Sequence, residues 1–226
     1  IAVLGEGEET LLELVSLYLK KRKFNPSDLK KIKGIAFIDK ENLIQNEKRK
    51  EINLDNLPLP DFDFINDGYF LRKEIPGANL VARSGVIITS RSCPYKCKFC
   101  STSHFWGKLR LHSPVYTARF IKYLVERYNV SYISVLDDLF TVNKQRLREI
   151  KIELENSGVL EKIRGMECQP RANLIDDELC AIMKELKVKK ISELQDIATT
   201  LKIILTTGKK NKKKTKDQLI QDILTA

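Results

Sequence analysis

The chain has little of what marks a membrane-bound, secreted or disulfide-stapled protein. No stretch approaches the roughly 18 consecutive apolar residues of a membrane span, and the N-terminus lacks the basic-then-apolar layout of a signal peptide. Five cysteines are an odd number, which argues against a fully paired extracellular framework. Only two histidines and one tryptophan are present in 226 residues, and the last forty residues contain no aromatic side chain at all. That last absence argues against a dedicated single-strand nucleic-acid platform, which needs rings for base stacking. The expectation is a protein of a reducing compartment, the cytoplasm, with no membrane contact.

What is present is enough for a real core. At 42% apolar content the length suits one large or two smaller domains. The chain opens on Ile1 inside a strand-like "IAVLG", so a fragment of a larger protein is expected. The formal charge of +10 is uneven, since Lys187 to Ala226 holds ten lysines against Glu193, Asp196, Asp217 and Asp222.

"IAVLGEGEETLLELVSLYLKKRK" predicts a strand end, a turn at Gly5 and Gly7, and a helix with Leu11, Leu12, Val15, Tyr18 and Leu19 on one face. Glu6, Glu8 and Glu9 would sit at its positive end and the run from Lys20 to Lys23 at its negative end. The glycines read as a turn, because three acidic neighbours would repel a phosphate. "GIAFIDKENLIQNEKRKEI" predicts a hairpin about a polar turn. Pro58 and Pro60 then suggest a linker, with a boundary between residues 60 and 75.

From Gly85 onward strands and helices alternate. "GVIITS", "SYISVLDDLFT" and "IRGMECQPRANLI" read as strands with exit loops. "SPVYTARFIKYLVERYNV", capped by Ser113 with Pro114 at its first position, "NKQRLREIKIELENSG" and "DDELCAIMKELK" read as helices. This order implies a parallel sheet with ligands at the C-terminal ends of its strands. Cys93 to Cys100, Asp137, Asp138 and Arg171 all fall at such ends.

Cys93, Cys97 and Cys100 form C-x3-C-x2-C in one loop. Thiolates at short spacing suit an iron-sulfur cluster, and three of them leave one iron of a cubane open to another ligand. With His104 the same residues have the spacing of a Cys3His zinc knuckle. Asp137 and Asp138 read either as contacts of a bound cofactor or as initiators of the next helix. Cys168 and Cys180 read as packing thiols, Trp106 as a wall residue, and His104 and His112 as structural.

The motif, with "GEGEETLLELV", "GIAFIDKENLI", "LPLPDFDF", "RSCPYKCKFCSTSHFWG" and "VLDDLFT", resembles the radical S-adenosylmethionine (SAM) superfamily, in the subgroup where a cobalamin-binding domain precedes the barrel. The likeness runs from about Ile1 to Leu186. It implies an α/β fold: a truncated, partial (β/α) TIM-like barrel over residues 76–186, preceded over 1–75 by the tail of a cobalamin-binding domain plus hairpin and linker; a basic helix-loop-helix segment is expected to follow over 187–226. It implies an enzyme in which Cys93, Cys97 and Cys100 hold a 4Fe-4S cluster and the fourth iron binds SAM. Phe99, Asp137, Asp138 and Arg171 would line the SAM site. An electron donor such as flavodoxin or ferredoxin would reduce the cluster, and the outcome would be methylation, methylthiolation or ring rearrangement of a substrate. The subgroup's Asp-x-His-x-x-Gly signature is absent, so no cobalamin binding is expected of this chain.

After "LKVKKI" the likeness stops, and the sheet edge left there would invite partnering. Ser192 with Gln195 predicts a capped helix to about Lys202, and Lys216 to Leu224 a second one. The pair is similar to SAP-like modules and to the N-terminal region of the transcription terminator Rho. Lys209, Lys210, Lys212, Lys213, Lys214 and Lys216 between and beside them read as nonspecific phosphate contacts or as a solvated linker. Two other readings stand beside the enzyme: a zinc-stabilised nucleic-acid-binding protein, and an inactive gene fragment.

Overall fold

A computed structural model describes residues 1–70, 72–75 and 80–188, with backbone alone at 72–75 and 80. The expected C-terminal helices and their lysines, Lys209, Lys210, Lys212, Lys213, Lys214 and Lys216, lie outside the described residues. In chain order the elements are β1 (Ala2–Val3), α1 (Glu8–Lys21), α2 (Pro26–Leu29), β2 (Ile35–Asp39), β3 (Asn42–Gln45), β4 (Arg72–Ile75), β5 (Leu80–Ile87) and β6 (Ser90–Arg91). They continue through α3 (Thr102–Trp106), β7 (Arg110–Leu111), α4 (Pro114–Tyr128), β8 (Tyr132–Val135), α5 (Lys144–Asn156), β9 (Gly165–Glu167) and α6 (Asp177–Glu185). The chain divides into two compact units: Ile1–Pro58 with Ser92–Arg110, and Leu59–Arg91 with the described residues from Leu111 onward.

In the first unit β1, β2 and β3 form an antiparallel sheet in that order. The expected hairpin is there, with Asp39 opposite Asn42. Its two-residue connection puts Lys40 at φ 47° and Glu41 at φ 71°, the doubly left-handed turn that matches strand twist. Glu8 and Glu9 open α1, and Lys20 and Lys21 close it, as the helix dipole favours.

The buried side of α1 differs from the expectation. Thr10 and Leu14 are buried, and Leu14 packs with Leu29, Ile32, Ile35 and Phe37 while Leu17 joins in part. Leu11, Leu12, Val15, Tyr18 and Leu19 are all exposed. Both sets repeat at helical spacing, because this helix carries apolar residues around most of its circumference. Periodicity therefore cannot choose between the two stripes; contact with Ile35 and Phe37 of β2 does.

The second unit holds a sheet in the order β4-β5-β8-β9. The β4–β5 pair is antiparallel, and β5–β8 and β8–β9 are parallel. The strand β4 of this hairpin was not expected from the sequence, and β5 begins at Leu80 instead of Gly85. "RKEI" shows no apolar alternation, so β4 is a charged edge strand that patterning misses. The expected TIM-like barrel finds only this open sheet among the described residues.

Helices cover one face of the sheet. Ile87, Ile133, Val135 and Met166 pack with Ile121 and Leu124 of α4, Leu147, Ile150 and Leu154 of α5, and Leu179 and Met183 of α6. Gly85 lies on this face, where an added Cβ would stand 3.1 Å from Val130 and 3.2 Å from Leu124. Ser113 caps its helix as expected, and Asn143 and Asp176, which the sequence reading did not name, cap the other two. Ser113 Oγ accepts from the Tyr116 N–H at 3.1 Å, Asn143 Oδ1 from Arg146 at 3.0 Å, and Asp176 Oδ1 from Leu179 at 2.8 Å. No helix among the described residues is long and apolar enough to cross a membrane.

The two stripes of α1 give a direct test. Leu14→Ala is expected to cost about 2–4 kcal/mol, as buried leucine truncations do, while Leu12→Ala should stay within about 0.5 kcal/mol. Thermal or urea unfolding of the pair measures this, and the reverse order would mean that the Leu12 side is the buried one.

Candidate functional site

The cysteine loop follows β5 and β6. Cys93, Cys97 and Cys100 are each half-buried, with exposed Pro94, Lys96, Lys98 and Phe99 interleaved. The Cys100 N–H donates to the Cys97 carbonyl at 3.0 Å, so a tight turn links the second and third thiols. The short helix α3 then carries His104, Phe105 and Trp106. Phe99 is almost fully exposed. Among the described residues no three His, Cys, Asp or Glu side chains already stand as a metal-holding group. One loop thus supplies three soft donors, a set whose chemistry fits an iron-sulfur cluster, and gathering the sulfurs is left to the metal.

Both ends of the loop are fixed. Ser92 is fully buried, and its hydroxyl donates to the Gly107 carbonyl at 2.8 Å. Arg110 Nη1 donates to the Ile52 carbonyl and to Glu6 Oε2, each at 3.2 Å, and Nη2 also pairs with Glu6. Sequence reading missed these contacts, since they join residues far apart in the chain and no local pattern marks them.

At the C-terminal end of β8 the two adjacent aspartates have different surroundings. Asp137 is 1% exposed. Its carboxylate accepts from the Thr89 backbone N–H, from Thr89 Oγ1 at 2.6 Å and from the Ser90 N–H at 3.2 Å. Thr89 in turn accepts from Arg146, whose Nη2 reaches its carbonyl at 3.1 Å and its hydroxyl at 3.0 Å. Arg146 is itself buried and also bonds the His112 carbonyl and Thr117. Asp138 is exposed. Arg171, also exposed, donates from Nε to Asn173 at 2.7 Å.

The sheet face away from the helices is polar. Ser84 and Ser134 meet at 3.3 Å, and Ser134 Oγ donates to Glu167 at 2.7 Å. Tyr132 lies on the same face, and burial together with the Glu167 charge pushes its phenol up to about 12. Glu167 was legible: strand alternation places it opposite the buried Met166. Cys168, packed partly against the core, has its thiol pushed up to about 12, by burial first and then by the charges of Asp137 and Glu167. Cys180 is buried within α6, and His112 stacks on Tyr116 at 3.9 Å.

Comparison with known proteins identifies the family. A family model described as Radical SAM superfamily matches residues 87–215. An uncharacterized methyltransferase of Pyrococcus horikoshii is 33% identical over 187 residues, covering 81% of this chain and 37% of the relative. An anaerobic magnesium-protoporphyrin IX monomethyl ester cyclase of Cereibacter sphaeroides is 27% identical over 90% of this chain and 32% of its own. A cytidylyl-2-hydroxyethylphosphonate methyltransferase of Streptomyces wedmorensis is 29% identical over 65% and 31%. The chain thus spans about a third of the length of these relatives. Among solved structures, the radical SAM methyltransferase TsrM of Kitasatospora setae, bound to cobalamin and a [4Fe-4S] cluster, shares the fold at a TM-score of 0.56. Its sequence identity is 15%, over 82% of this chain and 36% of that one.

Two outcomes follow from the geometry. Asp137→Asn turns acceptor positions toward donors and should cost about 2–3 kcal/mol, against less than about 0.5 kcal/mol for Asp138→Asn; unfolding curves measure both. At pH 8 Cys168 should alkylate more than tenfold more slowly than in the unfolded chain, because a raised thiol pKa leaves less thiolate. Mass-resolved iodoacetamide kinetics would show it.

Proposed function

The chain belongs to the radical SAM superfamily, and on that premise we propose that it is the cluster-bearing part of a SAM-dependent radical enzyme. The observation that carries the reading is the C-x3-C-x2-C loop placed directly after the first parallel strand of the sheet. Cys93, Cys97 and Cys100 are the cluster ligands in this proposal. A 4Fe-4S cluster with SAM, when bound, supplies one-electron cleavage of SAM to methionine and a 5′-deoxyadenosyl radical.

The residues of this chain would then bind and orient. Phe99 is put forward for the adenine, and its exposure leaves it available for contact. Of the two aspartates, Asp138 is put forward for the SAM ammonium because it is exposed, whereas Asp137 is buried. Arg171 is the candidate partner of the SAM carboxylate, by charge-assisted pairing. Asp137 itself becomes a positioning residue that holds the exit from β5. We further read residues 1–75 as the tail of a cobalamin-binding domain and residues 76–186 as part of a radical SAM barrel. An external one-electron donor completes the balance. Two of the named relatives are methyltransferases and one is a cyclase, which supports methylation or ring formation as the reaction class.

The test is anaerobic reconstitution with iron and sulfide, then electron paramagnetic resonance of the dithionite-reduced protein with and without SAM. A reduced-cluster signal perturbed by SAM is expected from the parent chain. Cys93→Ala, Cys97→Ala and Cys100→Ala should each abolish loading, and Cys168→Ala should leave it intact. Asp138→Asn should weaken the SAM perturbation while iron content stays at the parent level. Tightly held zinc with no visible absorbance would instead favour the zinc-knuckle protein.

A further inference from the structure

The cysteine loop groups with residues 1–58 and not with the strand it leaves. We infer that the N-terminal segment is the seat of the cluster loop, and that Ser92, Gly107 and the Glu6–Arg110 pair are positioning residues that decide how firmly a cluster is held. This inference rests on the proposed function, since it presumes that the loop loads a metal centre.

Three observations carry it. The first is the neck, where the Ser92 hydroxyl donates to the Gly107 carbonyl at 2.8 Å across the fourteen residues from Cys93 to Trp106. The second is backbone conformation at both ends of that neck. Ser92 holds φ 74°, a left-handed setting that a non-glycine residue adopts only when its surroundings enforce it. Gly107 holds φ 73°, and an added Cβ there would stand 3.0 Å from Glu51 Oε1. The angle thus favours glycine, while the Glu51 carboxylate is a side-chain end that can give way.

The third is the anchor just beyond the neck. Arg110 and Glu6 are largely buried, with side-chain exposures of 17% and 12%. Glu6 Oε2 also accepts from the Ile52 N–H at 3.3 Å, while the Ile52 carbonyl accepts from Arg110. One carboxylate and one guanidinium thereby tie the start of the chain, the segment at Ile52 and the end of the cysteine loop into a single unit. Metal sites depend on such supporting contacts to aim their ligands.

A plain turn-forming serine and a staple respond oppositely to one substitution. Ser92→Gly removes the hydroxyl but relieves the left-handed strain. A turn former should gain or keep thermal stability and hold its cluster as the parent does. A staple should keep its melting temperature yet lose iron to a chelator at least fivefold faster, with a broadened signal from the reduced cluster. Gly107→Ala should act in the same direction, as should Glu6→Gln and Arg110→Met. The exchanged pair Glu6→Arg with Arg110→Glu should recover part of the parent's retention, a rescue that general destabilisation would not produce.

The experiment reads iron release from the reconstituted full chain beside its melting curve. Parent-like release from Ser92→Gly and from Glu6→Gln would overturn the seat. Failure of the parent chain to take up iron, with Cys93→Ala no different, would overturn the cluster reading itself. If the parent takes up zinc alone, the same release ratio measured on zinc decides the seat.

Discussion

A buried carboxylate governs the sheet unit. Asp137 sits at the end of β8 with almost no exposure, and an isolated charge there would be costly. The cost is offset by three donors on Thr89 and Ser90 and by a relay to a buried guanidinium, since Thr89 Oγ1 gives its proton to Asp137 while accepting from Arg146. One threonine, just past the end of β5, thus connects the carboxylate of Asp137 after β8 with the guanidinium of Arg146 on α5. Arg146 extends the same connection to the His112 carbonyl and to Thr117 on α4. The path that the chain takes out of β5 is therefore dictated by a polar network, whereas the layers beneath it are held by apolar contact.

That division explains what could be read in advance. The helices α4, α5 and α6 were legible from sequence pattern, and the start of α4 also from its local cap, Ser113, which bonds an N–H three residues on; the caps Asn143 and Asp176 are as local but were not read. The parallel order was legible because β8 is buried along its whole length, as strands covered by helices are. The edge strand β4 was not, because charged edges suppress the alternation that would reveal them. At the site, the three thiols were legible from spacing alone. The different surroundings of Asp137 and Asp138 were not, because adjacent residues on a strand exit differ only in what faces them, and Thr89 lies nearly fifty positions away in sequence.

The two faces of the sheet also divide the chemistry. The helix side is dry and carries Ile87, Ile133, Val135 and Met166. The opposite side carries Ser84, Ser134, Tyr132 and Glu167 in hydrogen-bonding or charge contact. A stability function alone would not require serines facing one another at buried positions, where valine would pack without polar atoms to satisfy. The two serines are satisfied by each other and by Glu167.

The neck of the cysteine loop invites an entropic explanation, yet magnitudes point elsewhere. Closure entropy varies slowly with length, about 0.6 kcal/mol per doubling of a loop. Shortening the effective loop by stapling Ser92 to Gly107 therefore saves little on that account. Holding a serine at φ 74° costs about 1–3 kcal/mol, which exceeds the entropic gain. The strain is compensated by something other than closure, and the contacts of the loop ends supply it: a buried hydroxyl bond from Ser92 to Gly107 and an ion pair from Arg110 to Glu6. Each of these fixes a direction as well as a length. If the loop takes a cluster as proposed, its three thiols would need that direction more than a shorter tether, because a metal draws in side chains whose backbone already points the right way.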